Sequence, residues 1–122
     1  MKNFIIFTSI ICSFNVFADL KQNLDKDINT LMEKVIEWRH DIHKNPELGN
    51  REFRTAKKVA DHLTSLGISV ETGIAHTGVV GLLTGDLPGP RVAIRADMDA
   101  LPVIEKTGLP YASTVKTTYL GN

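Results

Sequence analysis

Residues Leu20, Leu24, Ile28, Leu31, Val35, Trp38 and Ile42 are separated by fours and threes. That periodicity commits the stretch to an amphipathic helix, because only a helix puts such spacings on one face. Pro46 sets its end. A proline disfavours helical geometry at the residue before it, here Asn45, so the helix is predicted to stop near His43 or Lys44. Arg39, His40, His43 and Lys44 fill the last turns, where the helix dipole favours positive charge. Pro46-Glu47-Leu48-Gly49 then reads as a turn.

A second helix is expected from about Arg51 to Leu66, with Phe53, Ala56, Ala60 and Leu63 on its buried face. Gly67 is suited to a left-handed stop. Beyond it, Ile68-Ser69-Val70 and Val79 to Thr84 carry strand composition, with His76-Thr77-Gly78 as a turn between them. Gly78 and Gly81 would permit a close backbone approach. After the turn-rich Gly85-Asp86-Leu87-Pro88-Gly89-Pro90 comes a third strand candidate, Arg91 to Ala96, expected to form a hairpin with 79–84. The fold class is therefore α/β, two helices followed by strands of a mixed sheet.

The third strand candidate runs directly into Asp97-Met98-Asp99, and Pro102 prevents it from continuing in a central ladder. Carboxylates at the end of a strand stand where α/β enzymes commonly hold ligands. Asp97 and Asp99 share a side if the backbone stays extended, and each could then accept hydrogen bonds, orient a histidine or approach a metal. The plainer alternative is a polar loop. A phosphoryl-transfer aspartate of the haloacid dehalogenase type would want Thr or Val where Leu101 stands, and the strand before it carries Arg95. His40 and His43, three apart on one helix, could also reach a metal. No acid or histidine follows them at a fixed helical offset, which favours a capping, surface or packing role.

The N-terminus has the form of a secretory signal peptide, with Lys2, an apolar run from Phe4 to Ile11, and Val16-Phe17-Ala18 before the expected cleavage at Asp19. The apolar run falls well short of the roughly 20 residues a membrane-spanning helix needs. Export to the periplasm or medium follows as the expected localisation, with no membrane association after cleavage. Loss of residues 1–18 would remove one lysine, no acid and Cys12, the only cysteine. Formal net charge is +0 for the whole chain, which points away from nucleic acid as a partner. At 122 residues the chain accommodates one small domain, read as 19–122.

Four blocks together resemble one family. Trp38-Arg39-His40-Asp41-Ile42-His43-Lys44-Asn45-Pro46-Glu47-Leu48-Gly49, Thr77-Gly78-Val79-Val80-Gly81, Arg95-Ala96-Asp97-Met98-Asp99-Ala100-Leu101-Pro102 and Thr107-Gly108-Leu109-Pro110-Tyr111-Ala112-Ser113 are similar, in that order, to the opening of the metal-dependent N-acyl-amino-acid amidohydrolases. These include hippurate hydrolases, aminoacylase-like enzymes and auxin-conjugate hydrolases. The resemblance implies the first part of a zinc-peptidase-like catalytic domain. It also implies a centre of two zinc or manganese ions and hydrolysis of the amide bond of an N-acyl amino acid, in a family often homo-oligomeric. It assigns Asp99 as an orienting carboxylate, with Asp97 a weaker candidate. The family's His-Ala-Cys-Gly-His-Asp block and later Glu-Glu pair are not matched. The expectation is thus a truncated catalytic domain, without metal ligands or bound metal, and inactive alone. The alternative is a non-catalytic exported remnant or small binding protein.

Overall fold

A computed structural model describes the backbone of residues 2–119 and the side chains of residues 19–119. In order, the elements are helix α1 (Lys2–Lys44), helix α2 (Phe53–Ser65), strand β1 (Ser69–Ile74) and strand β2 (Gly78–Leu82). The chain divides into two compact units, Met1–His40 and Asp41–Asn122. Among the described residues no helix is long and apolar enough to cross a membrane. The expected cleavage at Asp19 falls within α1, whose side chains before that residue lie outside the described ones.

In the first unit the expected stripe is present on α1, with Leu20, Leu24, Ile28, Leu31 and Val35 exposed. The helix ends at Lys44, as the position of Pro46 requires. Asn45 closes it, donating from its backbone N–H to the Asp41 carbonyl at 3.1 Å and from its side-chain amide to the same carbonyl at 2.8 Å.

In the second unit α2 ends in a Schellman motif. Gly67 adopts φ +75°, its N–H reaches the Thr64 carbonyl at 2.9 Å, and the Ile68 N–H reaches the Leu63 carbonyl at 3.2 Å. This satisfies carbonyls that a helix end leaves unpaired. It also places Leu63 and Ile68 over the β-hairpin. A Cβ on Gly81 would lie 3.0 Å from Leu63 Cδ1 and 3.2 Å from Ile68 Cγ2, so glycine is what lets α2 approach the strand.

β1 and β2 pair antiparallel from Ser69↔Leu82 to Ile74↔Gly78, with a bulge between Thr72 and Ile74. Ala75 and His76 take φ +47° and +94° in the connecting turn, an uncommon conformation for side chains with a Cβ. Gly78 is needed next to them, because a Cβ there would fall 2.5 Å from the Ile74 carbonyl oxygen.

Two expectations are corrected. Residues 91–96 form no strand and no hairpin with β2; Val92 and Ile94 are 87% and 98% exposed, with no neighbouring strand to receive them. Phe53, expected inside, is 59% exposed, while Thr55, two positions on, is the buried residue of α2 at 2%. The helix face that turns inward does so to satisfy a carboxylate, described below, rather than to bury a ring. The α/β class with two leading helices holds; among the described residues the sheet is the antiparallel pair, with one parallel bridge between Leu48 and Ala100. Leu48 is the buried apolar residue among those described; its buried companions Glu52, Thr55 and Thr77 are polar.

Candidate functional site

The site is built outward from Glu47, in the turn that Pro46 forces at the end of α1. Its backbone carbonyl accepts the Ala100 N–H at 2.8 Å, next to the Leu48–Ala100 bridge. Its carboxylate turns the other way and caps α2. One oxygen accepts the Arg54 N–H at 2.9 Å; the other accepts the Thr55 N–H and hydroxyl, each at 2.8 Å. A helix start offers unpaired N–H groups and positive potential, so a carboxylate is the fitting cap. Burial works against the charge on Glu47, but the Arg54 and Thr55 donors outweigh it and hold the carboxyl below its ordinary value. One residue therefore fixes Asp99-Ala100 to the beginning of α2.

Asp99 sits on this clamp. It is exposed, and its Oδ2 lies 3.7 Å from where a Cβ on Gly49 would be. Asp97 has different surroundings: it pairs with Arg95 at 2.8 Å, with 70% of its side chain exposed. An ion pair so open to water contributes little to stability. The two acids thus have different surroundings. Asp99 is tied through Ala100 to the helix-capping turn, and Asp97 belongs to the exposed 91–97 segment.

Three further carboxylates complete the surroundings. Asp41 accepts from Arg54 through both oxygens, at 2.6 and 2.8 Å, and from Lys58. The Arg54 and Lys58 hydrogen bonds lower its pKa to about 2. Glu52 is 7% exposed, accepting the Thr77 hydroxyl at 2.6 Å and the Asn50 N–H at 3.0 Å. The Thr77 bond, against the opposing effect of burial, keeps its pKa below the ordinary value. Glu105 gathers the Thr107 hydroxyl, His43 Nε2 at 2.9 Å and the Ser113 N–H at 2.6 Å, and these donors, Thr107 first, lower its pKa to about 2.

The histidines make separate local contacts. His43 meets Glu105 and lies edge-on to the Tyr111 ring, centroids 5.5 Å apart. His40 Nε2 is 3.2 Å from Arg39. His62 is exposed in the last turn of α2. His76 sits in the hairpin turn, edge-on to Phe53 at 5.4 Å. Among the described residues no three His, Cys, Asp or Glu side chains gather where they could hold a metal ion. The described residues therefore do not by themselves fit a metal centre. Sequence reasoning missed Glu47, Glu52 and Glu105 as organising groups. Glu47 stands inside a recognised block, and its position a few residues before a helix start is the signal that could have found it. Glu105, in a loop without periodicity, gave none.

No protein-family model matches the chain. Individual relatives do. It is 46% identical over 99 residues, 80% of this chain and 25% of the other, to thermostable carboxypeptidase 2 of Saccharolobus solfataricus. It is 47% identical over 91 residues, 75% of this chain and 24% of the other, to the hippurate hydrolase of Campylobacter jejuni. With the N-acetyl-L-cysteine deacetylase of Bacillus subtilis it shares 42% identity over 90 residues, 74% of this chain and 22% of the other. Among solved structures it matches the Bacillus subtilis YXEP protein, a dinuclear metal-binding peptidase of the M20 family. The TM-score is 0.66 at 40% identity, covering 71% of this chain and 25% of that one. The chain spans about a quarter of the length of the curated relatives it matches.

Proposed function

We propose that this chain, a homologue of the M20-family metal-dependent amidohydrolases and peptidases over 80% of its length, supplies the opening section of such a catalytic domain. Its substrates on this reading are N-acyl amino acids of the kind that hippurate hydrolase and N-acetyl-L-cysteine deacetylase are named for. The observation that carries it is the clamp at Glu47. It joins the first block of the resemblance to the third and sets Asp99 at a defined place beside Gly49. Asp99 serves as a positioning carboxylate; Asp97, paired with Arg95 in solvent, does not.

The metals of the family reading are zinc or manganese. Because the described residues do not assemble a ligand set, the chain's own contribution is structural: it holds Asp99, and it holds α2 against the hairpin. Residues 1–18 direct export on this reading, giving a mature chain that starts at Asp19.

The test is a chimera in which residues 31–113 replace the matching stretch of the Campylobacter jejuni hippurate hydrolase, assayed on benzoylglycine with zinc or manganese. The chimera should hydrolyse it. Asp99→Ala should then lose roughly 10–100-fold, the usual cost of removing a group that orients a metal-site residue, and Asp97→Ala much less. A chimera that folds, by circular dichroism and by its sharp elution as one species, yet stays inactive would refute the reading. The 122-residue chain alone should give no turnover above a no-protein control.

A further inference from the structure

The second unit contains two halves of a sheet contact that do not meet. One half is the outer edge of β2. Its inner edge pairs with β1, and among the described residues no backbone hydrogen bond reaches the other side. Unpaired edges are ordinarily guarded by charge, proline or a bulge. The outer edge of β1 has two of these guards, Glu71 and the bulge between Thr72 and Ile74. β2 reads Gly78-Val79-Val80-Gly81-Leu82 and has none of them.

The other half is Arg91-Val92-Ala93-Ile94-Arg95-Ala96. It has the alternation of a half-buried strand, yet makes no ladder, and Ile94 at 98% is the most exposed large apolar residue described. Leu83 to Pro90 connects the two halves. Hairpin loops are usually two to five residues long, and this one carries Pro88 and Pro90, which bias Leu87 and Gly89 toward extended geometry and away from a tight reversal.

We propose that two copies of this chain exchange residues 91–96, each laying its segment along the partner copy's β2 as a third strand. The occupant is a second copy because one chain holds both the unguarded edge and the unpaired strand sequence. A two-fold exchange satisfies both at once and closes, leaving no further edge of the same kind. It also covers Val92 or Ile94 together with the exposed apolar residues of β2, Val80 and Leu82, each 49% exposed. This inference does not depend on the enzymatic reading.

The experiment uses the 122-residue chain with Cys12→Ser, so that introduced cysteines are the only thiols. Sedimentation should give a dimer, and hydrogen exchange should protect the amides of 91–96 and β2 together. Ile94→Pro, which removes a ladder donor in each copy without touching α2 or the hairpin, should weaken dimerisation at least about tenfold. A chain carrying both Val80→Cys and Val92→Cys, positions that share one sheet face in the exchanged pair, should oxidise to a disulfide-linked dimer. A monomer overturns the proposal, whether 91–96 is unprotected or folded back with an intrachain disulfide. So does a dimer that Ile94→Pro leaves unchanged, since it would be held by another surface.

Discussion

Replacing Glu47 by alanine tests whether a side chain in a turn governs α2. The change removes three hydrogen bonds, one to the Arg54 N–H and two to Thr55. Arg54 is exposed, so its N–H is returned to water at little cost. Thr55 is 2% exposed, so its N–H and hydroxyl lose their partner where water reaches poorly. An unsatisfied buried group costs about 1–3 kcal/mol, and loss of a helix cap about 0.5–2 kcal/mol. These overlap, and about 2 kcal/mol is the reasonable total. At 1.4 kcal/mol per factor of ten, amides in the body of α2, Ala56 to Ala60, should exchange with solvent about thirtyfold faster. Glu47→Gln keeps one acceptor oxygen and should recover roughly half of that free energy. As a control, Asp61→Ala removes a pair whose side chains are 73% and 64% exposed, and should change exchange by less than about threefold. The measurement is amide exchange by NMR. If Glu47→Ala moves α2 no more than Asp61→Ala does, the cap is not what holds the helix start.

Two further outcomes are expected. The Glu105 carboxyl is lowered from 4.5 to about 2, so its contribution is complete above the ordinary value and lost as pH falls through the lowered one. Acidification from about pH 4.5 to about pH 2 should therefore release Ser113 and Thr107, seen as loss of protection of the Ser113 amide relative to its intrinsic exchange rate at the same pH, and Glu105→Gln should show that loss already at neutral pH. Export predicts that the protein recovered from cells begins at Asp19; N-terminal sequencing that finds Met1 on a cytoplasmic product would reject the signal-peptide reading.

The elements that depend on local chemistry were legible in the sequence. The three-and-four spacing specified α1 from Leu20 onward, Pro46 its end, Gly67 the stop of α2, and Gly81 the close approach of helix and strand. Each is a statement about a residue's own backbone or its immediate neighbours. The unpaired state of 91–96 was not legible. Its alternation is a strand pattern, but a strand needs a partner, and apolar alternation cannot say whether one is present. Phe53 misled for a related reason. Helical periodicity put it on the inner face, while the partners that settle the rotation of α2's first turn are the Glu47 carboxylate and Thr55. At the candidate site the two aspartates and their block were legible, with Asp99 ranked first by the resemblance, but not the difference in their surroundings. That difference comes from Ala100 reaching back to Glu47, about fifty residues away along the chain.

Carboxylates, more than apolar burial, hold the second unit together. Leu48 is its buried apolar side chain, whereas Glu52, Thr55 and Thr77 are buried and polar. Hydrophobic burial ordinarily dominates folding, and here it has little to act on. The joints are carboxylates instead. Asp41 binds the end of α1 to α2, Glu47 the turn to α2, Glu52 the start of α2 to the hairpin turn, and Glu105 the end of α1 to residues 107–113. All four have pKa values lowered from their ordinary ones, so each stabilises the fold above the ordinary value and ceases to as pH falls through the lowered one. Because they tie different segments to the same two helix ends, protonating them undoes one connected set of contacts rather than four separate ones. The exposed apolar residues at 92, 94, 101, 103 and 104 are what a second chain or a larger domain could use to supply the missing burial. Acid sensitivity should accordingly diminish in any assembly that covers them, since burial of apolar surface does not depend on the charge of these carboxylates.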